Sequence, residues 1–282
     1  ASAMALRFSE AVTPCRALSP PSDIIPLAYW LGVSYTYSQP VCLAPNRDIE
    51  TGTRNRRSGS RKEGDPNMKS RAAVAFEAGK PLEIVEIDVA PPQKGEVLIK
   101  VKAAGVCLSD VHFLDGTLKP GYLKSEYVTL GHEVAGVIES LGSSVTSVAV
   151  GDRVIVIAGE RNERGAITTL GFDYDGGYAE YVVAKAELLV KIPDSLGFDQ
   201  AAIIPDAVST PWAAITSTAG MKSGESAAVF GIGGLGFHAV QLLSILGCRT
   251  IAIDPRPEAR EKALEIGASH AFDPADQGLK EF

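Results

Sequence analysis

The run Ala227-Ala228-Val229-Phe230-Gly231-Ile232-Gly233-Gly234-Leu235-Gly236 constrains the fold more than any other stretch of the chain. A short apolar strand passes into a glycine turn and then into a helical pattern that stops at Gly247. Glycines at these places permit a tight turn, close backbone approach to a pyrophosphate, and close packing of helix on strand. A second β-branched run at residues 250–254, a helical pattern at 257–266 and a third short strand at 270–273 repeat the alternation. This is the order of a doubly wound α/β dinucleotide fold. Such folds commonly use about six strands, so residues 209–282 are expected to form a partial domain of this kind.

Gly231, Gly233, Gly234 and Gly236 are the candidate pyrophosphate contacts. Asp254 closes the second strand, where an acidic side chain accepts hydrogen bonds from the adenosine ribose and repels a 2′-phosphate. That favours NAD, while Arg256 nearby keeps NADP as the minority option. An ordinary glycine-rich βα turn is the competing explanation; the strand before it and the acid after it argue against that.

Upstream the pattern differs. Residues 72–76, 82–87, 96–101, 133–139, 153–157 and 178–183 are short β-branched runs divided by Gly and Pro. Gly151-Asp152 and Asp175-Gly176-Gly177 read as hairpin turns. Short strands at this spacing predict a compact β-barrel-like domain over residues 68–208. Residues 1–67 show no period, carry Pro20-Pro21 and end in an Arg-rich run, so an irregular N-terminal extension is expected, with Met68 a natural start.

A chain of 282 residues with 45% hydrophobic composition can fill two cores. Its net charge of −7 argues against nucleic acid and anionic membrane as partners. No run reaches the roughly 18 apolar residues of a membrane span. Cys15, Cys42, Cys107 and Cys248 have no framework spacing, which suits free thiols in a reducing cytoplasm; organelle import through residues 1–67 stays open.

Cys107, in Gly105-Val106-Cys107-Leu108-Ser109-Asp110, and His132, in Gly131-His132-Glu133, are a thiolate and an imidazole on separate loops. An open catalytic zinc site uses such donors. A lone cysteine is most often a small core hydrophobe, and a lone histidine a structural hydrogen-bonder. Asp110 changes that balance, since it can orient the far nitrogen of a metal-bound His132. Glu133 adds negative charge and is a further candidate ligand.

These stretches, with Gly131-His132-Glu133-x-x-Gly136, Gly151-Asp152-Arg153-Val154, Asp175-Gly176-Gly177-Tyr178-Ala179-Glu180-Tyr181 and the dinucleotide glycines, resemble the zinc-containing alcohol dehydrogenases of the medium-chain dehydrogenase/reductase superfamily. The opening from Met68 to Pro92 is similar to the glutathione-dependent formaldehyde dehydrogenase branch. The resemblance implies a GroES-like domain followed by a Rossmann domain, one catalytic zinc and a nicotinamide cofactor. It implies Cys107 and His132 as ligands and places Asp206 where relatives usually carry a third, cysteine ligand. Carboxylate oxygen binds zinc at about 2.0–2.2 Å and supplies the same single charge; a helix cap is the alternative for Asp206. It further implies Ser109 and His112 as the proton relay and Thr210 as a contact near the nicotinamide, with a surface role the competing reading for His112. Between Val156 and Gly176 there is no cysteine, so a second, four-cysteine zinc site is not expected there; Glu160, Glu163 and their arginine neighbours are expected to form a solvated loop.

The implied reaction interconverts an alcohol with an aldehyde or ketone on a small-molecule substrate, and a homo-oligomer is expected of the complete protein. A zinc-free quinone or enoyl reductase of the same superfamily, a non-enzymatic binding or structural protein on this fold, and an inactive fragment are the rival readings.

Overall fold

The computed structural model describes residues 68–276 other than Ala78, Lys124 and Glu163; the expected N-terminal extension lies outside the described residues. The chain divides into two compact units, with the division after Ile203.

In the first unit, β1 (Met68–Ala75) pairs antiparallel with β2 (Glu83–Val89) and with the short β4 (Val128–Thr129). A five-stranded antiparallel sheet is built from β3 (Glu96–Gly105), β5 (Glu133–Leu141), β6 (Arg153–Val156), β9 (Tyr181–Lys185) and β10 (Leu189–Lys191), in the order β10-β6-β5-β3-β9. β7 (Gly159–Arg161) and β8 (Ile167–Thr169) make a separate hairpin where the sequence suggested only a solvated loop. The strands expected from β-branched runs are present. They fall into separate sheets, and no closed barrel is formed among the described residues.

Val97, Ile99, Val134, Ile138, Val154 and Val156 are at most 1% exposed and form the core of the large sheet. Burying side chains of this size stabilises by roughly 1.5–3 kcal/mol each. Register shifts at Leu98/Ile99 and Val101/Ala103 bend β3 as it approaches Gly105. Arg153 then ties the sheet to the chain beyond β10, donating to the carbonyls of Pro193, Asp194 and Leu196 and lying 4.4 Å from the Phe198 ring centre. This unit also holds two short helices, α1 (Leu108–Leu114) and α2 (Phe198–Ala202), and α2 packs on β3 and β5.

Asp175-Gly176-Gly177 is not the hairpin turn that composition suggested. The N–H groups of Gly176 and Gly177 bond the carbonyls of Thr129 and Gly131 at 2.7 and 2.8 Å. A Cβ on Gly176 would overlap the Gly131 carbonyl, so glycine serves backbone-to-backbone approach here.

The second unit begins with a π-helical turn (Ile204–Val208), α3 (Ser209–Ala213) and a second π-helical turn (Ala214–Thr218). A parallel sheet β11-β12-β13 follows, from β11 (Ser226–Phe230), β12 (Arg249–Ile253) and β13 (His270–Phe272). Helices α4 (Gly234–Ile245) and α5 (Pro257–Glu265) lie between successive strands. They stop at Gly247 and Gly267, whose φ angles of 75° and 113° give the left-handed turn that ends a helix. Ile232, Val240, Ala252, Ala263 and Ile266 fill the space between helices and sheet.

Candidate metal centre and nucleotide-binding turn

The antiparallel pairing of β3 with β5 sets Gly105 opposite Glu133. The loop leaving β3 therefore lies beside the loop entering β5, which brings Cys107 and His132 together. Donor atoms of Cys107, His132 and Glu133 lie within 4.8 Å of one another. His132 and Glu133 are 5% and 1% exposed, and Cys107 is partly buried. A Cβ on Gly105 would overlap the Glu133 carboxylate, so glycine at that position leaves room for it.

Asp110 sits in the first turn of α1 and is 3% exposed. Its Oδ2 accepts the Cys107 backbone N–H at 2.9 Å, which fixes the cysteine at the helix N-cap. Its Oδ1 stands 3.5 Å from His132 Nδ1. The Phe172 ring packs against the imidazole in a tilted arrangement, with ring centres 4.9 Å apart. The Cys107 thiol donates to Ser109 Oγ at 3.6 Å. His112 lies further along α1, with Nδ1 3.5 Å from Asp115 Oδ2.

Sulfur, imidazole and carboxylate within this compass suit a zinc ion, whose bonds to such atoms are about 2.0–2.3 Å. Two buried carboxylates, Asp110 and Glu133, in one cluster also concentrate negative charge that a divalent cation offsets. The residues present fit the metal.

Asp206 lies on the first π-helical turn of the second unit. Thr210 Oγ1 donates to its Oδ1 at 2.5 Å, one helical turn on. The family resemblance implies Thr210 near the nicotinamide and Asp206 as ligand or cap, and does not predict their mutual hydrogen bond.

At the glycine turn, β11 gives way to Gly231 with φ 83°, its N–H bonded to the Ile253 carbonyl at 2.8 Å. Gly233 is the N-cap of α4, and Gly234 begins it. A Cβ on Gly236 would overlap the Gly231 carbonyl, so the helix start packs directly on the turn. Asp254 is 3% exposed. Its Oδ2 accepts the Ile232 N–H at 2.7 Å, and both oxygens take donors from Arg256. The Arg256 guanidinium holds the Asp254 carboxyl at about 2, well below its ordinary value.

Tyr178 is the residue whose part in this centre sequence reasoning missed. In the sequence it falls within the Asp175–Tyr181 match and at the start of a β-branched run, which predicts strand alone. Its hydroxyl donates to Asp110 Oδ2 at 2.8 Å.

The alcohol dehydrogenase GroES-like domain family model matches residues 93–194. The NDMA-dependent alcohol dehydrogenase of Amycolatopsis methanolica is 38% identical over 244 residues, covering 74% of this chain and 64% of that protein. An S-(hydroxymethyl)glutathione dehydrogenase of Synechocystis sp. is 38% identical over 243 residues, covering 74% of this chain and 65% of that protein. Among solved structures, the cobalt- and zinc-bound thermostable alcohol dehydrogenase from Pyrobaculum aerophilum superposes with a TM-score of 0.67. It is 31% identical, covering 76% of this chain and 68% of that one.

Fold, donor set and kinship together define a medium-chain dehydrogenase/reductase with a GroES-like and a Rossmann-type part. The chain belongs to the zinc-type alcohol dehydrogenases of that superfamily. It spans about 64% of the length of these curated relatives. No helix of the described residues is long and apolar enough to cross a membrane.

Proposed function

We propose that the chain carries the metal- and nucleotide-binding parts of an oxidoreductase that interconverts an alcohol with an aldehyde or ketone by hydride transfer with NAD. The observation that carries this reading is the approach of Cys107, His132 and Glu133 within 4.8 Å in a chain that also holds the glycine turn at Gly231–Gly236. Zinc, when bound, supplies a Lewis acid that makes an alcohol oxygen acidic near neutral pH.

Cys107, His132, Glu133 and Asp206 have the types and number that one ion takes, with Glu133 and Asp206 as the oxygen donors. Asp110 holds the His132 ring through Nδ1. Ser109, whose Oγ lies 3.6 Å from Cys107 Sγ, starts the proton's path outward, and His112 continues it. Thr210 borders the nicotinamide. The absence of cysteine between Val156 and Gly176 supports a single, catalytic zinc.

At the other end of the cofactor, N–H groups of the Gly231–Gly236 turn and the α4 start receive the pyrophosphate. Asp254 favours NAD through its negative charge. NADP is the second reading, favoured by one observation: Arg256 is paired with that carboxylate and reduces its repulsion of a 2′-phosphate. The substrate is a small alcohol or carbonyl compound, and the assembled protein is a homo-oligomer of the cytoplasm.

The test is metal analysis of the purified chain with Cys107→Ala and His132→Ala beside it, followed by alcohol-dependent reduction of NAD. About one zinc per chain, lost in both variants, is the expected result. Full turnover of a metal-free preparation would remove the proposal.

A further inference from the structure

We propose that Tyr178 is a positioning residue for the metal centre: its hydroxyl pins the buried Asp110 carboxylate, which in turn holds both the Cys107 loop and the His132 ring. The inference rests on the reading that Cys107 and His132 hold zinc.

Tyr178 is itself held tightly. Its N–H bonds the Leu130 carbonyl at 2.9 Å, and its carbonyl accepts the Ala73 N–H at 2.7 Å. Its ring lies over Gly131, where any Cβ would overlap it. Gly131 has φ 95°, a backbone conformation that L side chains rarely adopt, so this seat for the ring depends on glycine immediately before His132.

From that seat the hydroxyl reaches Asp110 Oδ2 at 2.8 Å and lies 3.1 Å from the Gly105 carbonyl. One hydroxyl carries one hydrogen, and the charged carboxylate is the stronger acceptor. Burial, and after it the negative charge of Asp110, pushes the Tyr178 hydroxyl well above its ordinary pKa, which keeps it a donor. Asp110 Oδ2 thus takes two donors, the Tyr178 hydroxyl and the Cys107 N–H. With that oxygen fixed, Oδ1 is directed at His132 Nδ1, 3.5 Å away. A buried carboxylate that loses one of two donors is costly to keep in place. Both ligand-bearing loops therefore depend on an oxygen donor that never touches the metal.

The experiment measures zinc dissociation constants by chelator competition on the full chain. It compares wild type, Tyr178→Phe, Asp110→Asn and the double variant, and records the visible spectrum of each cobalt-substituted form. Tyr178→Phe keeps the ring over Gly131 and removes only the hydroxyl. It is expected to weaken zinc binding about tenfold and to shift the cobalt bands. Asp110→Asn, which leaves the aromatic packing alone, is expected to weaken it at least as much. The double variant should be no weaker than Asp110→Asn, because the tyrosine acts through that carboxylate. An unchanged dissociation constant in Tyr178→Phe, or a full further loss when it is added to Asp110→Asn, overturns the inference. A wild-type chain that binds no zinc instead overturns the functional reading beneath it.

Discussion

Arg256 turns back onto Asp254, with Nε 3.0 Å from Oδ1 and Nη2 3.0 Å from Oδ2. The same carboxylate accepts the Ile232 N–H, so one buried charge joins the end of β12 to the glycine turn. Its carboxyl titrates at about 2 against an ordinary 3.8. Because the folded group is the stronger acid, the unfolded chain binds more protons between those values. The stabilisation is therefore complete above about pH 4 and is lost as pH falls toward 2. Asp254→Asn is expected to unfold about 2 kcal/mol more easily at neutral pH. Urea titrations at stepped pH should show that difference shrinking as acid is added.

The same pair bears on which nucleotide binds. Arg256→Ala would leave the Asp254 charge unneutralised toward a 2′-phosphate. NADP binding is expected to weaken about tenfold or more, and NAD binding much less. Fluorescence titration with each reduced cofactor measures the ratio, and an unchanged ratio would remove Arg256 from specificity.

Gly236→Ala forces a Cβ onto the Gly231 carbonyl, which sits at the start of the turn. Either α4 moves away from β11 or the turn opens, and both displace the N–H groups meant for the pyrophosphate. Nucleotide affinity is expected to fall at least tenfold, on the order of 1.4 kcal/mol or more. Equilibrium dialysis with NAD checks this.

Gly131→Ala combines two costs, a left-handed φ of 95° and overlap with the Tyr178 ring. A loss of more than about 2 kcal/mol is expected, with zinc retention impaired as well. Thermal unfolding and metal analysis measure the two effects separately. A variant as stable as the parent would contradict the packing described.

Asp206→Cys and Asp206→Ala separate donor chemistry from helix structure. The cysteine keeps a single negative charge on a zinc-binding atom and is expected to retain zinc. The alanine lacks any donor and is expected to release it far more readily to a chelator. Equal retention by both would assign Asp206 to a helical role through its bond with Thr210.

Local signals made much of this molecule legible. The Gly231–Gly236 turn, the stops at Gly247 and Gly267, and the strands around Val97 and Val134 follow from residue type and period. Cys107 and His132 stood out because their residue types and loop contexts fit metal chemistry. Other features were not legible. Asp175-Gly176-Gly177 looks like a turn by composition, yet its glycines serve contact with Gly131. The hairpin of β7 and β8 replaced an expected loop, since pairing between short polar segments leaves little hydrophobic pattern to read.

Chain order and residue type by themselves determined the succession of a β-rich part and a βαβ part, and which side chains are chemically able to hold a metal. Periodicity, glycine's freedom and donor chemistry are properties of short segments, so they survive without a fold. Only the tertiary structure decided which oxygen of Asp110 faces His132, that Arg256 closes over Asp254, and that Tyr178 reaches Asp110 from sixty-eight residues away. Those choices depend on the β3–β5 register and on burial, where a single hydrogen bond to a desolvated charge is worth more than any local preference.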